Sequence, residues 1–215
     1  MDNTKACKKE IAYFMRRLYK RGLTTTTGGN ISVLLPNKVL LITASQTDKA
    51  RMKAHEVALV DMHGRQLSTT LKPSMETAMH IAIYKKRPDV RCIVHAHPPL
   101  ATAFAAAHQT INTALTGEGR ALLGQPALAP YALMGSSELA RNVADVAAHT
   151  HVVLMANHGV ITLGKSLMEA FERMEVLENN ARTELLCRQL GGHKALAPDE
   201  LQAIDLFMKQ NNEDS

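Results

Sequence analysis

Short apolar runs alternate with longer helix-patterned stretches along this chain, and that alternation restricts the fold more than any other feature. The runs NISVL, VLLITAS, VALVD, VRCIVHA, HVVLMA and GVITLG have the length and β-branched content of buried strands. Between them lie helical patterns. In KACKKEIAYFMRRLYKR, Ile11, Phe14, Leu18 and Tyr19 recur at helical spacing, and Gly22 supplies a terminator. Pro73 and Ser74 precede a helix to about Lys86. Ser136 and Glu138 open the helix LARNVADVAAH. Ser166 and Glu169 form a capping-box pattern for a long helix ending at Gly191 and Gly192. A last helix follows Pro198, with Leu201, Ile204, Phe207 and Met208 on one face. Met62-His63-Gly64-Arg65 reads as a hairpin turn between VALVD and QLS. Helices alternating with strands predict an α/β sheet covered by helices.

A chain of 215 residues, 46% hydrophobic, buries one sizeable core, so the expectation is a single domain over 1–215. No apolar run reaches the roughly 18 residues of a membrane span, and MDNTKACKKE is polar where a signal peptide is apolar. A soluble cytoplasmic protein without a membrane partner is expected. Cys7, Cys92 and Cys187 are far apart and odd in number, which indicates neither disulfides nor a thiolate metal cage. The net charge of +5 is spread along the chain, and four Phe, four Tyr and no Trp offer little for base stacking. Nucleic acid is therefore not the expected partner. A small anionic substrate suits the charge equally well.

Ten histidines draw attention, and His95 and His97 most of all, because they lie two apart at the end of a strand. Side chains at i and i+2 of a strand share a face and can converge on one ion. His149 and His151 have the same spacing but precede a strand, and read as solvated loop. His158 occupies the Asn-His-Gly turn after HVVLMA, where Gly159 lets the backbone turn. Three neutral imidazoles suit zinc and other divalent ions and leave a coordination position open. Taken alone, His158 reads equally as a hydrogen-bonded turn histidine. Glu76 in KPSMETAMH is either a helix-start carboxylate favoured by the dipole or a general base near a cation. His80, one turn on, reads as a structural histidine. Gly28-Gly29-Asn30 is a plain turn or an anion nest with Asn30 as an added donor, and lacks Walker or Rossmann spacing.

In combination, TGGNIS at 27–32, LLITAS at 40–45, KPSMETAMH at 72–80, RPDVRCIVHAHPP at 87–99 and LMANHGVITLGKSLMEAF at 154–171 resemble, in order, the class II aldolase and adducin-head family. The resemblance implies a three-layer αβα sandwich with a mainly antiparallel sheet, assembled as a cyclic homotetramer with sites at subunit interfaces. It implies that His95, His97 and His158 hold the catalytic ion, Zn²⁺ first and Mn²⁺ or another divalent ion next. It makes Glu76 the residue that exchanges the C3 proton of dihydroxyacetone phosphate, and maps the phosphate pocket onto Gly29, Asn30, Ser45 and Ser74. The family's aldolases carry Glu at the position of Glu76 and its epimerase Asp.

The activity so implied is reversible cleavage of a ketose 1-phosphate of the L-fuculose 1-phosphate kind. The ion, chelating the C2 and C3 oxygens, stabilises the charge of the enediolate. This chain departs from the pattern at Gln46 and Met75, where the pocket can carry Gly and a second Ser. Thr116 falls where the family's acid is Tyr, with Glu118 as a nearby substitute. Epimerase, decarboxylase or dehydratase chemistry on the same platform is the enzymatic alternative. An adducin-like interaction module is the non-catalytic one.

Overall fold

The computed structural model describes residues 2–67 and 71–213. Helix α1 (Asp2–Lys20) leads through a loop into strands β1 (Asn30–Leu34), β2 (Leu40–Thr43) and β3 (Val57–Val60). Helix α2 (Thr77–Lys86), strand β4 (Cys92–Ala96), helices α3 (Pro99–Ala106) and α4 (Gly117–Leu123), strand β5 (Ala127–Ala129) and helix α5 (Ser137–Ala147) follow. Strands β6 (Val152–Met155) and β7 (Gly159–Gly164) precede helices α6 (Leu167–Gln189) and α7 (Pro198–Glu213). The seven strands form one sheet in the order β3-β2-β1-β4-β7-β6-β5, antiparallel throughout except for the parallel pair β5–β6.

Alternation along the strands sorts the core into two layers. Ile31, Val33, Val94 and Val160 face α1, α3 and α6, where Phe14, Leu18, Phe171 and Met174 close one cluster. Leu34, Ile93, Ile161 and Leu163 face α2 and α5, meeting Ile83, Tyr84 and Val143 in the other. The expected three-layer αβα arrangement is therefore present, with a mixed, mostly antiparallel sheet. Burying a leucine-sized side chain contributes about 1.5–3 kcal/mol, so both helix layers are held by the same apolar period-2 pattern that defines the strands.

Several local expectations change. Helix α2 begins at Thr77, and Glu76 stands at its N-cap position without capping it, so Glu76 is not a first-turn carboxylate. The Met62–Arg65 turn closes as a hairpin, with Asp61 N donating to the Arg65 carbonyl, Val60 bridging Gln66 and Leu67 N donating to the Leu59 carbonyl, although QLS forms no full strand and Ser68 lies outside the described residues. On α7, Leu201, Ile204 and Met208 are half-buried, but Phe207 is 63% exposed. Helices α3 and α4 and strand β5 fall where the sequence reading assigned no element. Helix α3 follows Pro98, which cannot cap it, and its free N–H groups are taken by a carboxylate from α6: Leu100 N and Ala101 N donate to Glu178 at 3.0 and 2.9 Å. Helix α4 is capped by Thr116 and is pinned to α7 by a two-point Arg120–Asp205 pair. The expected caps Ser136 and Ser166 do accept from Leu139 N and Glu169 N. Among the described residues no helix is long and apolar enough to cross a membrane.

Candidate active site

Antiparallel pairing brings distant segments to one end of the sheet. β1 begins where β4 ends, with Asn30 opposite His95, and β7 begins beside the same end of β4. The β6–β7 turn therefore carries His158 to within reach of His95, 63 residues earlier in the chain (158 − 95). Odd-numbered residues of β4 face α2, so His95 and, just beyond the strand, His97 lie on the side where Glu76 ends the approach to α2. The donor atoms of His95, His97 and His158 all lie within 4.8 Å of one another, the one such group among the described residues. Their ring centroids are 4.8, 5.0 and 5.6 Å apart.

Glu76 sits among them. Its Oε2 lies 3.1 Å from His95 Nε2 and its Oε1 3.2 Å from His158 Nε2. Asn30 Nδ2 donates to Glu76 Oε2 at 2.7 Å. Nδ1 of His95 lies 2.8 Å from the carbonyl oxygen of Val160; a proton on that nitrogen turns the Nε2 lone pair toward Glu76 and the other imidazoles. Apart from these ion-pair approaches, buried His95 Nε2, His97 Nε2, His158 Nδ1 and Glu76 Oε1 have no hydrogen-bond partner among the described residues. Unpartnered buried polar atoms are costly, and their presence on all three imidazoles and Glu76 fits a cation: one nitrogen from each imidazole and an adjacent carboxylate form a donor set that could hold a divalent ion.

At His97 and His158 the electrostatics agree with that fit. Burial, then the charges of His95 and His158, pulls His97 down to about 3. Burial and His95 lower His158 as well, so both imidazoles are neutral at ordinary pH and able to ligate. For Glu76, burial opposes ionisation, but His95, His158 and the Asn30 amide outweigh it and hold the carboxyl well below the usual range. Burial likewise opposes a charge on His95, and Glu76 overrides it upward.

Glycine keeps the site open, though not as expected. The left-handed residue of the β6–β7 turn is Asn157, at φ +53°, and Gly159 has no such conformation. A Cβ on Gly159 would lie 2.5 Å from His97 Cδ2 and 2.7 Å from the Ala96 carbonyl oxygen. Gly28 plays a similar part, since its Cβ would lie 2.9 Å from His97 Nδ1.

A cavity of about 350 Å³ opens on this cluster and brings Gly29, Asn30, Ser45 and Ser74 together with Glu76, His97 and His158. His95 is fully buried beneath it. Asn30 spends one amide N–H on Glu76. Gln46 also lines the cavity, at φ +58°, and Met75 is 60% exposed at its rim. His80 is fully buried and bonds Ser32 Oγ at 2.7 Å through Nδ1, which suits a structural role, and burial pulls it down to about 3. His149 is exposed, but His151 is not freely solvated, because Arg87 approaches its Nε2 at 2.8 Å. Thr116 caps α4 and donates to Asn180 Oδ1, and Glu118 is exposed; neither lines the cavity of its own chain. Sequence reasoning missed Lys49, which does line it. Its one signal is its position four residues after Ser45, on the loop leaving β2.

Comparison with known proteins agrees with this architecture. The chain is 34% identical over 179 residues to an L-fuculose phosphate aldolase of Methanocaldococcus jannaschii, covering 83% of this chain and 96% of that one. It is 32% identical over 181 residues to a 3-oxo-tetronate 4-phosphate decarboxylase of Haemophilus influenzae, covering 82% and 86%. A solved L-fuculose 1-phosphate aldolase superposes with a TM-score of 0.87 at 30% identity, over 94% of this chain and 95% of the other. The profile of the class II aldolase and adducin N-terminal domain matches residues 9–185, and the chain belongs to that family.

Proposed function

We propose that this protein is a metal-dependent aldolase that reversibly cleaves a ketose 1-phosphate of the L-fuculose 1-phosphate kind to dihydroxyacetone phosphate and an aldehyde. The observation that carries the proposal is the convergence of His95, His97 and His158 beside Glu76 on a cavity that also holds Gly29, Asn30, Ser45 and Ser74. The three imidazoles would hold a divalent ion, zinc first and manganese or another divalent ion next, which would supply Lewis acidity for the negative charge of carbon–carbon cleavage. Glu76 acts as the base and acid at C3 of dihydroxyacetone phosphate: Asn30 fixes Oε2, and Oε1, which accepts no hydrogen bond among the described residues and lies 3.2 Å from His158 Nε2, takes the proton. Gly29 offers a backbone N–H, and Ser45 and Ser74 offer hydroxyls, to the phosphate.

The proposal extends to assembly and setting. Met75, Tyr131, Leu133 and Met134 are 58–66% exposed on neighbouring loops, two of them at the cavity rim, which suits a face covered by another subunit of a homotetramer. A fully active monomer in sedimentation at assay concentration would refute that. Three free cysteines fit a reducing, cytoplasmic setting.

A second reading is a decarboxylase of a 3-oxo acid phosphate, favoured by the 32% identity to the Haemophilus influenzae enzyme. One experiment separates the two. Metal-loaded protein is incubated with dihydroxyacetone phosphate in heavy water, and loss of a C3 proton is followed by NMR; in parallel, carbon dioxide release is measured from 3-oxo-tetronate 4-phosphate. An aldolase exchanges the proton in a metal-dependent way, and Glu76→Gln slows exchange by roughly 10²- to 10⁴-fold with metal still bound. Absence of exchange together with carbon dioxide release moves the assignment to the decarboxylase.

A further inference from the structure

Lys49 is only 2% exposed, yet it carries a charge with no carboxylate in ion-pairing distance among the described residues. Its Nζ donates to the Ala44 carbonyl oxygen at 3.2 Å and to Thr47 Oγ1 at 3.0 Å, both neutral acceptors. An ammonium has three N–H bonds, so one is left without a protein acceptor among those residues. A buried, uncompensated cation is expensive to keep. Burial pulls Lys49 down to about 8, with Glu56 the opposing charge.

The placement says what the charge is for. Lys49 forms part of the cavity wall. Its own N–H donates to the Thr26 carbonyl, which ties it to the loop that carries Gly28 and Gly29. The same short segment is tied to the chain ahead of Ser74, through Ser45 N to the Lys72 carbonyl and the Ala44–Pro73 bridge. Lys49 thus stands at the junction of the two loops that offer neutral donors to the cavity. Gly29, Ser45 and Ser74 bring no full positive charge, and Gln46 and Met75 add none.

We propose that Lys49 is a substrate-binding residue whose ammonium pairs with the phosphate monoester of the ligand in this cavity. The proposal rests on the phosphorylated substrate named above and adds the residue that selects for it. A ligand lacking the phosphate leaves the buried charge unpaired, which makes Lys49 a determinant of specificity as well as affinity. Other titratable groups nearby are few. Glu56 precedes β3, Asp48 is engaged by Arg51 at 2.8 Å, and Glu76, His97 and His158 line the same cavity.

The test uses metal-loaded full-length protein with inorganic phosphate as the calorimetric probe, followed by the KM and kcat of proton exchange from dihydroxyacetone phosphate. Lys49→Met keeps the side-chain length and apolar stem, and circular dichroism and metal content monitor its fold. It should weaken phosphate binding by roughly 10- to 100-fold, the loss expected for one charge-assisted hydrogen bond, and raise KM by more than it lowers kcat. Lys49→Arg should retain most of the affinity. In wild type, phosphate affinity should fall as pH rises past about 8, and Lys49→Met should lack that fall. Equal phosphate affinity in wild type and Lys49→Met overturns the proposal, and so does a flat wild-type profile from about pH 7.5 to 9.5. Wild type that exchanges the proton but binds no phosphate also overturns it while leaving the aldolase reading intact. Phosphate binding lost in Lys49→Met, with no exchange in wild type, supports Lys49 and overturns the aldolase reading instead.

Discussion

Gly159→Ala should damage the imidazole cluster through a single methyl group. Gly159 has ordinary strand geometry, so the substitution carries no left-handed backbone strain, and its whole effect comes from space. The new Cβ would stand 2.5 Å from His97 Cδ2 and 2.7 Å from the Ala96 carbonyl oxygen, with His95 Cε1 at 3.4 Å. Contacts under 3 Å demand movement, and the Ala96 carbonyl belongs to the β4–β7 ladder, so the imidazole of His97 must swing or the strands must part. Overpacking of this kind costs about 1–3 kcal/mol, and about 2–4 °C of Tm accompanies each kcal/mol in a chain of this size. Under the proposed metal site, displacing His97 should also weaken ion binding by roughly 10- to 100-fold, as disturbed orientation of a ligand does. Gly164→Ala is the control: in the same strand, its Cβ would meet Ala170 N at 2.7 Å and the Ser166 carbonyl at 2.9 Å, remote from the imidazoles. Both variants should melt earlier, but only Gly159→Ala should lose zinc affinity in a competitive chelator titration. Wild-type zinc affinity in Gly159→Ala would refute the close-packed geometry assigned to His97.

Two further predictions follow from the histidines. His158→Ala or His95→Ala should abolish stoichiometric metal by elemental analysis while His149→Ala should not, because His149 lies outside the cluster; full occupancy after loss of His158 would sink the site. Burial and the charges of Arg173 and Arg87 pull His151 down to about 4 from its ordinary 6.5. The unfolded chain therefore binds the extra proton first, so the stability from neutral His151 is intact above about pH 6.5 and is lost as pH falls toward 4. Urea midpoints should drop less between pH 7 and 4.5 in His151→Gln than in wild type, and an identical drop would remove His151 from the account.

The sequence revealed those parts of the molecule whose physics is local. Strand runs such as VLLITAS and the cap at Ser166 carry their signals within a few residues, and both formed as read. The His95–His97 pair was legible for the same reason, since a strand's period of two is written directly in the chain. Helix α3 was not legible, because PLATAFAA has little polar contrast and its N-terminus is satisfied by Glu178, 78 residues beyond Leu100. The segment before α4 is held in the same remote way, with Asn112 N donating to Glu184 Oε2 at 2.7 Å and Thr116 donating to Asn180. At Gly159 it is the neighbours in space, not a turning backbone, that exclude a side chain, and those neighbours are invisible in the local sequence. Lys49 is not legible because a lysine after a strand is ordinarily solvated, whereas here it is 2% exposed and tied through its backbone N–H to Thr26, 23 residues earlier (49 − 26).

If the three imidazoles, at the end of β4 and on the β6–β7 turn, hold the proposed ion, metal supply is coupled to folding. An unfolded chain that must close a loop of some sixty residues has no comparable donor set, so an ion bound to the triad acts as a long-range crosslink of the native state alone. Such a crosslink stabilises by RT ln(1 + [L]/Kd), about 2.7 kcal/mol at a hundredfold excess of free ion over Kd, without any covalent bond. It joins the centre of the sheet, where β4 lies between β1 and β7, so its removal loosens the strands on which both helix layers rest. In a cell starved of the metal, the protein would therefore lose lifetime as well as activity.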